Sequence, residues 1–185
     1  VSEQEDIPAD ISELIRLGTI ASVDLGARRC TVRYGDEDDE EGEAETPPIR
    51  WLAPRAGRTK VSSPPSEGEQ VVLLCPDGQV AAGIALLGLE QDSFPMPAAK
   101  ADETITEYAD GALIGYDAET HALTAILPSE GTAVIDAPAG LRIRGDVEIE
   151  GAVSVSGDVM AGGISLRNHP HSGVQAGTAL SGGPV

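Results

Sequence analysis

The residues best suited to chemistry in this chain are two histidines two positions apart, His169 and His171, in the cluster Asn168-His169-Pro170-His171. Side chains two apart in an extended backbone project to the same side. Pro170 enforces that geometry, because it fixes its own φ and biases His169 toward β or polyproline conformation. Two imidazoles from one chain, with no cysteine nearby, are too few for a closed zinc site. Three copies meeting on an axis would bring six. Six nitrogens in two layers of three can surround one ion octahedrally, an arrangement that suits iron(II) or nickel better than tetrahedral zinc. The alternative is a polar tail with two histidines and no ligand. The segment beyond, 172–185, reads SGVQAGTALSGGPV, without charge and with nothing bulkier than Leu180 and Gln175. Small residues of this kind allow three backbones to converge into a compact apex.

The stretch that must position the histidines is 141–166. From Gly145 it reads GDVEIE, GAVSVS, GDVMAG, three hexads opening on Gly145, Gly151 and Gly157. The aliphatics Val147, Ile149, Val153, Val155 and Val159 all fall on odd positions, opposed by Asp146, Glu148, Glu150, Ser154, Ser156 and Asp158. In an extended chain this register makes one apolar stripe, and the stripe needs a cover. Two solutions exist: one chain coiling into a left-handed β-helix, or three chains winding about a common axis. A solitary coil wants one large aliphatic per hexad with small residues at its corners, whereas here two recur in each of the first two hexads. The repeat is also too short for several solitary turns. Three chains supply the missing faces, so the expectation is a homotrimer.

Composition narrows the classes. The chain has 185 residues, 41% apolar, but one Trp, one Phe and three Tyr, so its packing must come from Val, Ile, Leu and Ala. That favours thin or repetitive packing over one thick core. With 31 acidic against 12 basic residues the net charge is −19, which argues against phosphate-driven binding of DNA or RNA and against anionic membrane surfaces. No apolar run approaches the roughly 20 residues of a membrane helix. No basic-then-apolar leader opens the sequence, and the expectation is synthesis in the cytoplasm without a signal peptide. Cys30 and Cys75 lie inside apolar strand-like runs and read as buried reduced thiols, with no chemistry assigned.

Ahead of the hexads the chain reads as strands. Ile11, Leu14 and Ile15 follow Asp10 at helical spacing and suggest a short capped helix. A hairpin is expected from strands at 19–24 and 28–34 around the turn Leu25-Gly26-Ala27. The block 35–48, GDEDDEEGEAETPP, carries eight carboxylates and reads as a solvated loop, without the Asp/Asn spacing of an EF-hand. A third apolar segment spans 49–53, and strands at 70–75 and 79–89 flank the turn Pro76-Asp77-Gly78. Five or so strands in about 75 residues suggest a small closed barrel of the OB type. Nucleic-acid binding by such a barrel needs a basic groove and stacking aromatics, and only Tyr34 and Trp51 are at hand, so no nucleic-acid partner is expected. Arg50, Arg55, Arg58 and Lys60 cluster in sequence, either pairing with local acids or forming a docking patch for a protein. Beyond the linker Phe94-Pro95-Met96-Pro97, strands at 111–116 and 121–125 form a second hairpin, with His121 an exposed strand residue, and alternation resumes at Ala133, Ile135 and Ala137.

These residues resemble the baseplate assembly protein V family of contractile phage tails, related to the spike of type VI secretion. The resemblance lies in Ile15-Arg16 followed by Gly18-Thr19-Ile20, in Trp51-Leu52-Ala53-Pro54-Arg55-Ala56-Gly57-Arg58, and in Gly68-Glu69-Gln70-Val71. It continues through Asp110-Gly111-Ala112 with Tyr116, His121-Ala122-Leu123-Thr124, and His169-Pro170-His171 before a Gly/Ser tail. It implies an all-β homotrimer: an N-terminal arm with a short helix (1–17), an OB-fold hub-docking domain (18–96), an intertwined triple-stranded β-helix (97–166) and a metal-binding apex (167–185). It further implies one iron per trimer held by six histidines, His169 and His171 from each chain. The implied partners are tail hub and baseplate proteins, and the implied task is mechanical piercing of the bacterial outer membrane from the tip of the tail tube. The acidic block, the shorter helix segment and Pro170 depart from the family pattern.

A mechanical device needs no catalytic group, and the sequence shows no Ser/His/Asp or Cys/His ordering and no phosphate-binding glycine loop. Two other readings remain. A hexapeptide-repeat acyltransferase would carry a catalytic histidine within its coils, whereas both paired histidines lie beyond the repeats. A structural OB adaptor would do no piercing.

Overall fold

The alternation of apolar and polar residues from Ile15 to Tyr34 makes a long hairpin, as the sequence leads one to expect. In the computed structural model, which describes residues 11–35, 42–97, 100–170, 172, 173 and 177, β1 (Ile15–Asp24) pairs antiparallel with β2 (Arg29–Tyr34). The register sets Ile20 opposite Val32 and Val23 opposite Cys30, with an irregularity between Ile20 and Ser22. The helix ahead of it is a single turn, α1 (Ile11–Leu14), and Ile15 already belongs to β1. Asp10, the expected cap, lies outside the described residues.

Gly18 is required by packing. A methyl group there would stand 2.5 Å from Val32 Cγ1 and 2.6 Å from the Arg33 carbonyl oxygen.

Next come β3 (Ala44–Glu45), β4 (Arg50–Trp51), the small ribbon β5 (Arg55–Ala56) with β6 (Lys60–Val61), then β7 (Gln70–Leu74) and β8 (Ile84–Leu86). The main sheet runs β3-β2-β1-β7-β8-β4, antiparallel except for β4 against β8. It curls back on itself. Ile49, just ahead of β4, exchanges backbone hydrogen bonds of 3.0 and 2.9 Å with Cys30 of β2, so the two ends of the sheet approach as in an OB barrel. Inside sit Ile20, Cys30, Val32, Ile49, Val71, Leu73, Cys75 and Ala85, with Trp51 and Tyr34 packed at the margin. Thr46 is the one buried polar side chain among the described residues, and it is satisfied, its hydroxyl accepting from the Val32 N–H at 3.0 Å.

Two expected strands differ. The run 79–89 is strand only at β8, because the turn at Pro76–Gly78, with Asp77 in the left-handed region, is followed by a 3-10 turn at Val80–Ala82. There the Gly83 N–H bonds back to the Val80 carbonyl at 3.1 Å and closes the turn. The segment 49–53 contributes only two strand residues, the chain turning at Pro54 toward the β5–β6 ribbon.

Beyond the linker a three-stranded sheet of order β11-β10-β9 forms from β9 (Glu103–Glu107), β10 (Leu113–Asp117) and β11 (Ala122–Ile126). The expected hairpin is present, with β9 added. His121 is not a strand residue. It occupies the turn with φ of 58°, in the left-handed region. Asp117 holds that turn: one carboxylate oxygen accepts from the N–H groups of Glu119 (2.8 Å) and Thr120 (3.1 Å), and the other takes a 3.1 Å ion pair from Lys100. These contacts, the Thr120 N–H foremost and then Lys100, draw the carboxyl down to about 2.

The chain divides into two compact units at 132/133. In the second unit, 141–158 forms no strand and makes no backbone–backbone hydrogen bond among the described residues. It ends in a small hairpin, β12 (Met160–Ala161) with β13 (Ile164–Ser165). No helix among the described residues is long and apolar enough to cross a membrane.

Candidate functional site

Two places concentrate polar groups with a purpose: the apex at the end of the second unit, and a cleft on the OB sheet. At the apex, β12 and β13 join through Gly162 and Gly163, both at positive φ (60° and 84°), the backbone that a two-residue hairpin turn demands and that glycine supplies without strain. The Leu166 N–H continues the ladder to the Val159 carbonyl at 2.9 Å.

Ser165 is the pivot of this hairpin. Its hydroxyl donates to Asp158 Oδ2 and accepts from the Asn168 N–H at 2.9 Å, while Asp158 Oδ1 accepts from the Arg167 N–H at 3.1 Å. The Ser165 hydroxyl, followed by the backbone N–H groups of Arg167 and Val159, holds the Asp158 carboxyl below its ordinary value, as expected of a carboxylate that accepts several hydrogen bonds. The clasp fixes the chain leading into His169.

The His169 ring is oriented from the same residue, with Nδ1 2.8 Å from the Ser165 carbonyl oxygen. A carbonyl can only accept, so in this contact Nδ1 is the donor. A ligating histidine characteristically gives its other N–H to a carbonyl in this way, and the donor chemistry of His169 therefore fits a metal. His171 lies outside the described residues. Among the described residues no group of three or more His, Cys, Asp or Glu side chains converges within one chain.

The second place is a cleft of 650 Å³ between the β1–β2 turn and the β5–β6 ribbon, lined by Arg28, Arg29, Arg50, Arg55 and Lys60 around Trp51. Sequence clustering singled out Arg50, Arg55, Arg58 and Lys60. The structure brings three of these together, omits Arg58 from the lining, and adds Arg28 and Arg29 from the far side of the sheet. The Cys30–Ile49 bridge is what makes these distant segments neighbours, and no local signal announces it. The alternative that these cations pair with local acids is not seen among the described residues, where the one ion pair is Lys100–Asp117.

Both cysteines are buried and unbridged, and burial pushes both thiols up, with Arg16 partly opposing this at Cys75.

A curled OB-like sheet is thus followed, in the second unit, by a hairpin turned on Gly162 and Gly163 that leads into His169. Residues 16–89 match the family model described as the type VI secretion system/phage-baseplate injector OB domain, and residues 163–185 match the GpV apex motif. The chain is 28% identical to the spike protein of Escherichia phage P2 over 214 aligned positions, covering 96% of each chain. This chain belongs to the phage baseplate V family of structural, non-catalytic tail spike proteins. Membership removes the acyltransferase reading.

Proposed function

We propose that three copies of this chain form the central spike of a contractile tail or related injection machine, whose thrust pierces the bacterial outer membrane. The observation that carries the reading is the state of the hexads. Val147, Ile149 and Val153 are 59%, 60% and 64% exposed in the single chain, on a segment whose backbone groups find no partner within the described residues. An extended backbone with open donors and acceptors and a continuous apolar stripe is one component of an intertwined sheet. Burying a Val or Ile fully contributes roughly 1.5–3 kcal/mol, so even this short segment, repeated three times, holds a trimer firmly.

In this reading residues 97–166 make the triple-stranded β-helix, 18–96 dock on tail hub and baseplate proteins, and 167–185 close the tip. His169 and His171 of each chain would hold one iron ion. Bound iron would supply a cross-link among the three chains at the point where mechanical load concentrates. The chain's own contributions are separable from it: Asp158 and Ser165 clasp the approach to the tip, the Ser165 carbonyl keeps the proton on His169 Nδ1, and interchain strands give stiffness. Force comes from sheath contraction.

The test is native mass spectrometry with elemental analysis of the purified protein. Three chains with one iron are expected, and replacing both His169 and His171 with Ala should abolish the iron while leaving the trimer. A metal-free monomer would overturn the reading. The adaptor alternative is separated by deleting 167–185: loss of infectivity or killing supports piercing, and full retention favours the adaptor.

A further inference from the structure

Asp146 and Asp158 hold the same place in their hexads, the second residue of GDVEIE and of GDVMAG. Their surroundings differ. Among the described residues Asp146, with Glu148 and Glu150, enters no hydrogen bond or ion pair, whereas Asp158 uses both carboxylate oxygens, Oδ2 accepting from the Ser165 hydroxyl and Oδ1 from the Arg167 N–H at 3.1 Å. Chain return makes the difference. The third hexad alone runs into a hairpin, where Met160 pairs with Ser165 and the Leu166 N–H bonds to the Val159 carbonyl, so residue 158 comes beside the chain that leaves β13 for His169.

Ser165 relays this grip to the histidine. A hydroxyl has one proton to give, and giving it to Asp158 Oδ2 turns its lone pairs toward other donors, of which the Asn168 N–H at 2.9 Å is one. That bond fixes the backbone immediately ahead of His169, and the ring then folds back to the carbonyl of the same Ser165, with Nδ1 at 2.8 Å. Asp158 therefore reaches the imidazole through one intermediate residue. A carboxylate whose two oxygens are committed to Ser165 and Arg167 serves orientation, the usual work of the groups that surround a metal's own ligands.

We propose that Asp158 is a positioning residue for the metal ligand His169, acting through Ser165 to hold the ring by Nδ1 so that ligation falls to Nε2. The inference rests on the iron-bound threefold tip proposed above and assigns to it a residue outside the histidine cluster. A ring already held in one orientation gives up less rotamer freedom when it ligates, so the clasp lowers the cost of binding and slows release. It also gives the polar side of the third hexad a task that the first hexad's equivalent aspartate does not share.

The experiment compares the full-length protein with Asp158→Asn, Ser165→Ala, the double variant and Ser165→Thr. Native mass reads the trimer and its iron, and release of iron is timed with the Fe(II) chelator ferrozine. Asp158→Asn and Ser165→Ala should each release iron roughly 10- to 100-fold faster from an intact trimer, the ordinary cost of removing an outer partner of a ligating histidine. The double variant should be no faster than either single one, because both break the same relay, and Ser165→Thr, which keeps the hydroxyl, should return close to the parent rate. Free of metal, ¹⁵N-histidine resonance spectra should show His169, identified by its absence in His169→Gln, protonated at Nδ1 in the parent and as a mixture of tautomers in Asp158→Asn. Iron held as firmly by Asp158→Asn as by the parent, or an unchanged tautomer, overturns the positioning role and leaves the spike reading standing. Loss of the trimer together with the iron overturns it too, in favour of a clasp that serves folding alone. A parent protein that binds no iron overturns the iron-bound tip and this inference with it.

Discussion

The OB sheet and the hexad segment are built from the same side chains and treat them in opposite ways. Ile20, Val32, Val71 and Leu73 are fully buried, while Val147, Ile149 and Val153 stand mostly in solvent. Aliphatic content does not separate them; chain return does. In the OB region a turn follows each strand, and ladders close between β1, β2, β7 and β8, so apolar faces meet within one chain. In 141–158 each hexad opens on glycine, and Gly145 and Gly151 sit at positive φ, yet no partner strand returns among the described residues. A core is thus a property of topology as much as of composition, and in the proposed spike the second region would close its topology only on assembly.

The largest effect that breaks the comparison is on assembly itself. Replacing Ile149 and Val153 together with Ser should leave the OB sheet folded while abolishing the trimer at micromolar concentration, because each exchange is repeated in three chains. Sedimentation velocity with far-ultraviolet circular dichroism checks both halves. A trimer that persists would mean the stripe is not the interface.

Smaller is the effect of Leu73→Ala, which opens a cavity in the OB core and should cost about 2–5 kcal/mol. The diagnostic is its concentration dependence. A core closed within one chain loses the same stability at any protein concentration, whereas a stripe shared among chains loses stability by mass action. Denaturant titrations of Leu73→Ala and Val147→Ala at two concentrations a hundredfold apart should show a fixed midpoint shift for the OB transition in the first and a concentration-dependent shift in the second.

Much of this was legible in residue order. The alternation through β1 and β2, the strand at β7, the second hairpin and the hexad stripe all follow from period-two patterning, and the family followed from motifs such as Trp51-Leu52-Ala53-Pro54-Arg55. The strand β9 (ETITE) escaped because Ile105 is its one aliphatic, set between threonines and glutamates without an apolar run. His121 escaped because left-handed backbone at a non-glycine residue leaves no compositional trace. At the apex, His169 could be singled out, but the Ser165 carbonyl that sets its tautomer and the Asp158 clasp beneath it are backbone geometry. The basic cleft was half legible: Arg50, Arg55 and Lys60 are close in sequence, whereas Arg28 and Arg29 arrive through the curl of the sheet.

The sheet β9–β11 offers a third case, and the smallest predicted effect. It closes its own ladders as the OB sheet does but leaves its aliphatics exposed, Leu123 at 78%, so polar clasps at its turn weigh more than a core. Asp117 is the principal clasp, with its carboxyl drawn down to about 2 by the Thr120 N–H and Lys100. A carboxyl whose folded value lies below its unfolded value of 3.8 stabilises fully above that unfolded value and loses the contribution as pH falls toward 2. Amide exchange across Leu113–Asp117 and Ala122–Ile126 should therefore quicken as pH drops from about 4 to about 2, after correction for intrinsic exchange. Asp117→Asn should exchange faster at neutral pH and lose that acid step, and the OB strands should be indifferent to the substitution. An unchanged acid step in the variant would place the sensitive carboxylate elsewhere in the sheet.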